Sequence, residues 1–517
     1  MLRLKENIRE FAMKNFYRSA ALLVAFMLVF ATGWAAYRPV PDNRNLSQIF
    51  DSIRVEGAEE LTRVRFVPDN DEAWYCRWKM VKEAKESIDC TYYIVDKDIF
   101  GQAFIGLLLN KARHGVKIRL MIDGRVYRMP YMSKMPDKIQ ELAAFPNVEI
   151  KLYNSVKKSL AGIFSGIKKV FASNHDKIII VDRNTCIIGG RNIGADYFAQ
   201  NGENDIVYRD TDILMQGRHV ATQLKKAFDD EWGHLKNTVV KADALNFKKQ
   251  LSLVDLAYRV MSRYMQGRGL YNPDKARVSD KLKKALLEMN EEISKYKNIS
   301  SYSGFQLFRG ERRKRVKILD KHSYIGALNG ITPNLLKMIE ACEHEIIIQN
   351  PYLVITEEAE AALRRAAARG VKIIFHTNSA ESTDSLFPQA FLMNDWKRIL
   401  KTMPGSRILV APSQNERLHS KTFVFDSLIT VIGSYNMDPL SEDINSEVVA
   451  AVLDKSFATQ TRMQILGPDL KKFIEYKIEL DENGRIIKAI GPEDHVNSKT
   501  VKKMNIMRKL QWLRPLI

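Results

Sequence analysis

The chain has 517 residues, of which 45% are apolar and 27% charged, and its 80 Lys and Arg against 61 Asp and Glu leave a formal net charge of +19. That length and composition belong to a folded protein of more than one domain and exclude a chain too polar to bury a core. The positive excess favours anionic partners, nucleic acid and anionic lipid alike.

The first segment is not core. Arg3, Lys5, Arg9, Lys14 and Arg18 precede a stretch without charge from Ser19 to Tyr37, and Arg38 and two prolines follow. The stretch is long enough to span a bilayer. Its basic flank belongs on the cytoplasmic side, which sends the remainder across. Gly33-Trp34-Ala35 offers a small-x-small cleavage pattern. Residues 1–40 are therefore expected to be a membrane anchor or export signal. They hold the protein in the bacterial inner membrane facing the periplasm, or release it there after cleavage.

Residues 41–69 read as a linker. "KMVKEAKESIDCTYYIV" then reads as a helix followed by a strand, and "GQAFIGLLLNKARHGVKIRLMIDG" repeats the alternation, with Gly115 as the stop between helix and strand. The later half says the same again: "EEAEAALRRAAARGVKIIF" sets Arg369–Phe375 against His114–Leu120. Internal repetition of this kind predicts two α/β units, 70–235 and 311–475, each a central sheet covered by helices. Between them, 236–310 reads as a mainly helical connector, and 476–517 as a basic carboxy-terminal extension.

Cys76, Cys90, Cys186 and Cys342 show no CxxC spacing, which argues against a metal site built on them. Cys186 lies in an apolar run as a small hydrophobe, and a Cys76–Cys90 disulfide is compatible with the count.

The chemistry sits in "HDKIIIVDRNTCIIGGRN", His175–Asn192. His175 and Lys177 are two apart on a predicted strand, so they share a face with Ile179, while Ile178 and Ile180 take the other. Asp182 ends the strand, and Gly189-Gly190 allows a tight turn or close backbone approach before Asn192. "HSKTFVFDSLITVIGSYN" repeats the spelling 244 residues later, with His419, Lys421, Asp426, Gly433, Ser434 and Asn436 at identical spacings. If the halves pair about a pseudo-twofold, two imidazoles, two lysines and two asparagines converge. Like-charged lysines suit a phosphate and oppose a metal ion. One imidazole can attack phosphorus while the other protonates the leaving alcohol. The proposed chemistry requires no cofactor or metal.

This doubled His-x-Lys-x4-Asp-x6-Gly-(Gly/Ser)-x-Asn pattern resembles that of the phospholipase D superfamily, over about residues 70–475. The resemblance implies two α/β/α units with mixed sheets, pseudo-twofold related, sharing one interface site. It implies His175 as the covalent nucleophile, His419 as acid/base, and Lys177, Lys421, Asn192 and Asn436 as phosphate ligands. Asp182 and Asp426 are implied as structural or orienting. Glu447 matches an acidic position near the second histidine, and the matching acid of the first half is either Glu203 or Asp205. The superfamily includes phospholipases, cardiolipin and phosphatidylserine synthases, and nucleases. Two fused motifs and an export segment favour a phospholipid substrate, an anionic membrane surface, and water or an alcohol as acceptor. An exported nuclease, favoured by the net charge, and a non-catalytic phospholipid-binding scaffold are the alternatives. Ser155–Ser173 and the basic tail from Lys502 each combine lysines with apolar residues, as a membrane-contacting segment or a surface packed on the core would.

Overall fold

Each half of the chain is built on short runs of β-branched residues between helices whose ends are marked in the sequence. Asp98 caps the helix Ile99–Arg113, its Oδ1 accepting from the Gly101 N–H at 2.9 Å. Thr356 does the same for the helix Glu357–Ala368. Both helices stop at a left-handed glycine, Gly115 (φ +80°) and Gly370 (φ +89°), a backbone region closed to most side chains. The computed structural model describes residues 43–57, 59–124, 135–154, 171–233, 237–242, 252–273, 279–323, 328–411, 416–467 and 472–516. The expected anchor or export signal lies outside the described residues, as does nearly all of the expected amphipathic segment Ser155–Ser173. Among the described residues, no helix is long and apolar enough to cross a membrane.

The first half supplies strands β1 (Leu61–Val67), β2 (Ser87–Tyr92), β3 (Lys117–Asp123), β4 (Val148–Tyr153), β5 (Ile178–Val181), β6 (Thr185–Gly189), β7 (Val207–Arg209), β8 (Asp212–Gln216) and β9 (Thr238–Val239). The second supplies β10 (Arg313–Lys321), β11 (Glu345–Gln349), β12 (Lys372–Asn378), β13 (Arg407–Ala411), β14 (Glu416–Leu418), β15 (Thr422–Phe425), β16 (Ile429–Gly433), β17 (Glu447–Leu453), β18 (Ile474–Leu480) and β19 (Ile486–Ile490). In space the first sheet runs β9-β4-β3-β2-β5-β6-β8-β1. The second runs β10-β17-β16-β15-β11-β12-β13-β18-β19. In each, three parallel strands (β2-β3-β4; β11-β12-β13) adjoin antiparallel ones, so both sheets are mixed, as the family resemblance implies. β1 and β10 pair antiparallel, with Arg63 opposite Arg313, and join the two sheets about the pseudo-twofold.

Strand periodicity divides the core. Ile179 and Ile187 face the first half's helices. Ile178, Ile180 and Ile188 face the other way, onto Ile432, Val448 and Ala450 of the second sheet. The apolar layer between the sheets holds the two motifs at a fixed separation.

Two expected boundaries shift, and one expected disulfide is absent. Residues 41–69 are more than a linker, because they contain the helix Arg44–Ser52 and β1, whose alternating apolar residues enter the sheet junction. The carboxy-terminal extension does not begin at 476: β18 pairs with β13, and Tyr476 is buried in the second core. The Cys76–Cys90 disulfide does not form; all four cysteines are free and buried.

Candidate active site

The two motifs enter the site by the same local construction. β5 and β6 are joined through Asp182 and Arg183, both at positive φ (+50° and +51°), and β15 and β16 through Asp426 and Ser427 (+48° and +47°). These are the left-handed angles of tight hairpin turns. The Asp182 carboxylate accepts the backbone N–H groups of Lys85, Glu86 and Ser87 at 2.9, 2.7 and 3.0 Å. Asp426 accepts those of Glu343, His344 and Glu345 at 2.8–2.9 Å. Both aspartates therefore tie the motif hairpin to the entry of the neighbouring strand and stand at the end away from the histidines.

At the other end of each hairpin, the histidine is held by an acid from the opposite half. The His175 N–H donates to the Ser446 carbonyl at 3.2 Å, and its Nδ1 lies 2.9 Å from Glu447 Oε1. The His419 N–H donates to the Arg209 carbonyl at 2.8 Å, and its Nδ1 lies 2.6 Å from Asp210 Oδ2. The small parallel ribbon of β7 and β14 brings the second pair together, with Arg209 opposite Leu418, and a single bridge between Asn174 and Ser446 brings the first. Two sequence expectations are corrected here. Glu447 stands beside His175, the first histidine, not beside His419. The acid of the first half is Asp210, in "YRDTDILM", rather than Glu203 or Asp205; Glu203 instead accepts the Gln200 N–H at 2.8 Å. The acids cross over because each opens or precedes the strand next to the junction pair β1–β10: β8 lies beside β1, and β17 beside β10.

Glu447 and Asp210 are wholly buried, while the His175 and His419 side chains keep 13% and 10% exposure. The imidazoles are thus the groups a substrate reaches, and the acids act through them. With Nδ1 engaged by a carboxylate, each ring presents Nε2 to the site. The two acids are supported differently. Glu447 accepts the Ser434 hydroxyl at 2.5 Å and the Ser441 hydroxyl at 2.7 Å. At the place of Ser434 the first motif has Gly190, where a Cβ would stand 2.3 Å from Asp210 Oδ1, so only glycine admits the shorter acid. Arg191, fully buried, donates from Nη2 to the Asp210 carbonyl at 2.6 Å and from Nη1 to Asp212 at 2.9 Å. Asp212 also takes Arg77 Nη1 and Nη2 at 2.8 and 2.9 Å.

Lys177 Nζ donates to the His175 carbonyl at 2.6 Å, and Lys421 Nζ donates to the His419 carbonyl. Burial lowers Lys177 to about 7 and Lys421 to about 8, against the pull of Glu447 and Asp210. Burial, together with Lys177, Lys421 and His419, pushes the His175 imidazole well below its ordinary value. The contacts His175–Glu447 and His419–Asp210, each made across the two halves, bring both motifs to one site. Burial also lowers His419, with Asp210 as the opposing pull. Asp210 itself is held down at about 2, because the His419 interaction and Lys421 outweigh its burial. Burial raises Glu447 to about 7, against Lys177 and the two serine hydroxyls.

Asn192 Nδ2 donates to the Tyr197 hydroxyl at 2.9 Å, and its Oδ1 accepts the Ile94 N–H at 3.2 Å. Asn436 is buried. The walls are aromatic. Tyr93 meets His175 edge-on at 5.3 Å, and Tyr197 and Tyr208, stacked at 4.6 Å, meet His419 at 5.5 and 5.3 Å. Sequence reasoning missed Asp210, Arg191, Ser441 and these tyrosines. Only Asp210 had a signal: it follows Arg209 as Glu447 follows Ser446, at the mouth of an apolar strand.

A pair of lysines beside the imidazoles makes the centre hostile to a cation and suited to an anion of phosphate type. Elsewhere among the described residues, Asp230, Asp320 and His322 bring ligand atoms within 4.8 Å of one another, but Lys226 already occupies Asp230 at 2.7 Å. They read as an ion-pair network.

Two half-sites, each a histidine, lysine and asparagine on a β-hairpin and each completed by the other half's acid, define a two-histidine phosphoryl-transfer enzyme. The family described as "Cardiolipin synthase, PLD-like domain" matches residues 78–232 and 335–466, and the chain belongs to this branch of the phospholipase D superfamily. The chain is 24% identical to cardiolipin synthase C of Escherichia coli (strain K12) over 440 residues, covering 80% of this chain and 86% of that one. It is 25% identical over 418 residues to an uncharacterised protein of Helicobacter pylori (strain J99), covering 77% of each. Among solved structures, phosphatidylserine synthase of Haemophilus influenzae Rd KW20 shares the fold. It has a TM-score of 0.61 at 10% identity, covering 92% of this chain and all of that one.

Proposed function

We propose that the protein transfers a phosphatidyl group from one phospholipid to an acceptor alcohol, as a cardiolipin synthase does, with water as the competing acceptor. The observation that carries the reading is the pair of Nδ1–carboxylate contacts, His175–Glu447 and His419–Asp210, each made across the two halves. They leave two Nε2 atoms, one for attack and one for proton transfer, beside two lysines. The names of the curated relatives, cardiolipin synthase C of Escherichia coli and cardiolipin synthase 2 of Bacillus cereus, support a phospholipid as the diester.

His175 Nε2 attacks phosphorus. The bond to the leaving alkoxide breaks as His419 Nε2–H gives that oxygen its proton. Lys177, Lys421, Asn192 and Asn436 hold the phosphoryl oxygens, where charge is spread in the transition state. His419, now neutral, takes the proton of the incoming alcohol, whose oxygen displaces His175 from phosphorus. Asp210, ionised beside His419, stabilises the protonated imidazole. Glu447 fixes the His175 tautomer. The basic leader before Ser19–Tyr37 supports an enzyme held at, or sent across, the bacterial inner membrane.

The test is incubation of the full chain with phosphatidylglycerol vesicles and resolution of products by mass spectrometry, with single- and double-stranded DNA in parallel. Diphosphatidylglycerol or phosphatidic acid is expected, and neither with His175→Ala. DNA cleavage that is lost in His175→Ala, without lipid turnover, would establish the nuclease reading that the net charge favours.

A further inference from the structure

The stretch "SKTVKKMNIMRKLQWLRPL", Ser498–Leu516, carries six basic residues and no acid. Its helix, Ser498–Met507, is capped by Asn497, whose Oδ1 accepts the Thr500 N–H at 2.9 Å. One face packs on the fold: Met504 is buried against Ala380, Ala390 and Met393. The opposite face is unpartnered. Lys499, Lys502, Lys503 and Ile506 lie on it at i, i+3, i+4 and i+7, all exposed, and Lys509 and Trp512 continue the exposed series into the turn Gln511–Leu516. Ile506 is 68% exposed and Trp512 72%. Large apolar groups held in water among lysines are the composition of a surface that meets anionic headgroups. The ammonium groups take the phosphates, and indole and alkyl groups enter the headgroup boundary.

The position of this arm is tied to the site. Asn497 donates from its N–H and Nδ2 to Glu381 Oε1 at 3.2 and 2.7 Å. The same loop carries Asp384, which accepts the Tyr352 hydroxyl at 2.6 Å and whose charge reaches His419 and Lys421. Arg514 donates to the Ile355 carbonyl at 3.1 Å and to Asp395 at 2.6 Å. The turn Gln511–Leu516 packs on the helix Pro439–Asp443, which begins just past Asn436. The arm is therefore braced on segments adjoining the second motif.

We infer that residues 498–516 form an interfacial arm that docks on anionic phospholipid headgroups and brings the second motif to the bilayer surface. The choice of partner rests on the phospholipid reading above. The probe is a fluorophore on Ile506→Cys in the full chain, which labels selectively because the four native cysteines are buried. The vesicles contain brominated acyl chains in phosphatidylcholine, with or without phosphatidylglycerol. Quenching is expected with phosphatidylglycerol and not with phosphatidylcholine alone. Neutralisation of Lys499, Lys502 and Lys503 to Gln should cut the vesicle partition constant by roughly a hundredfold, about fivefold per lysine. It should raise KM for vesicle-borne lipid and leave hydrolysis of a soluble phosphodiester unchanged, which also reports an intact fold. A label that stays unquenched on phosphatidylglycerol vesicles, or quenching that ignores the three lysines, overturns the arm. Lysine-dependent quenching in a protein that leaves phosphatidylglycerol intact upholds the arm and rejects the lipid reading of the catalytic site.

Discussion

Asp210→Asn keeps the shape of the acid that holds His419 and removes its charge. The carboxylate lies 2.6 Å from His419 Nδ1 and is wholly buried. Burial and Lys421 lower the imidazole's basicity, and Asp210 is the main group opposing them. A hydrogen bond to a charged group contributes about 1.5–3 kcal/mol. If that contribution is made when the ring carries the proton, its loss slows turnover by about 10- to 200-fold. The loss should fall on particular steps. With an alkyl leaving group, formation of the phosphoenzyme needs the proton of His419 and should slow. With p-nitrophenolate as leaving group it does not, so the variant should release a burst of about one nitrophenolate per site. It should then turn over slowly, because His419 no longer activates the acceptor. Stopped-flow absorbance follows the burst, and acid quench with radiolabelled phosphodiester locates the adduct. Glu447→Gln, which loosens the nucleophile itself, should show no burst. Absence of a burst in Asp210→Asn, or label recovered on His419 in place of His175, would refute the assignment of the two acids.

Gly190→Ala should be as damaging to turnover as Asp210→Asn, because the new Cβ would meet Asp210 Oδ1 at 2.3 Å; a cost of about 1–3 kcal/mol in thermal or urea unfolding should accompany it. Affinity for dimethyl phosphate, an anion that does not titrate near neutrality, should be level below pH 7 and fall as pH rises through 7 to 8. Over that range Lys177 (about 7) and Lys421 (about 8) lose their protons in the free enzyme, and Glu447 (about 7) loses its own, which weakens anion binding in the same direction. Because the bound anion favours the charged lysines, calorimetry in buffers of different ionisation enthalpy should show proton uptake on binding at pH 8 and none at pH 6.

Much of the fold was legible because it is written twice. The "HGVKIRL" and "RGVKIIF" frames mark helix, glycine stop and strand in each half, and both become β3 and β12 as read. The reading failed where an element's partners are distant in sequence. β1 has few local signals beyond its alternation and is defined by pairing with β8 and β10, far along the chain. The tail strand β18 likewise exists because β13 offers it an edge.

The sequence by itself determined the contents of each half-site. A period of two puts His175 and Lys177 on one face, and Ile178 and Ile180 on the other, whatever the strand packs against. The spacing to Gly189-Gly190 and Asn192 then closes the hairpin. Only the tertiary structure decided which acid serves which histidine. His175 and Glu447 are 272 residues apart, and His419 and Asp210 are 209 apart. No local spacing encodes a contact that exists because two sheets bury Ile178, Ile180, Val448 and Ala450 against each other. Burial of that apolar layer is what turns two copies of a motif into one site, and it is why each copy is completed by the other.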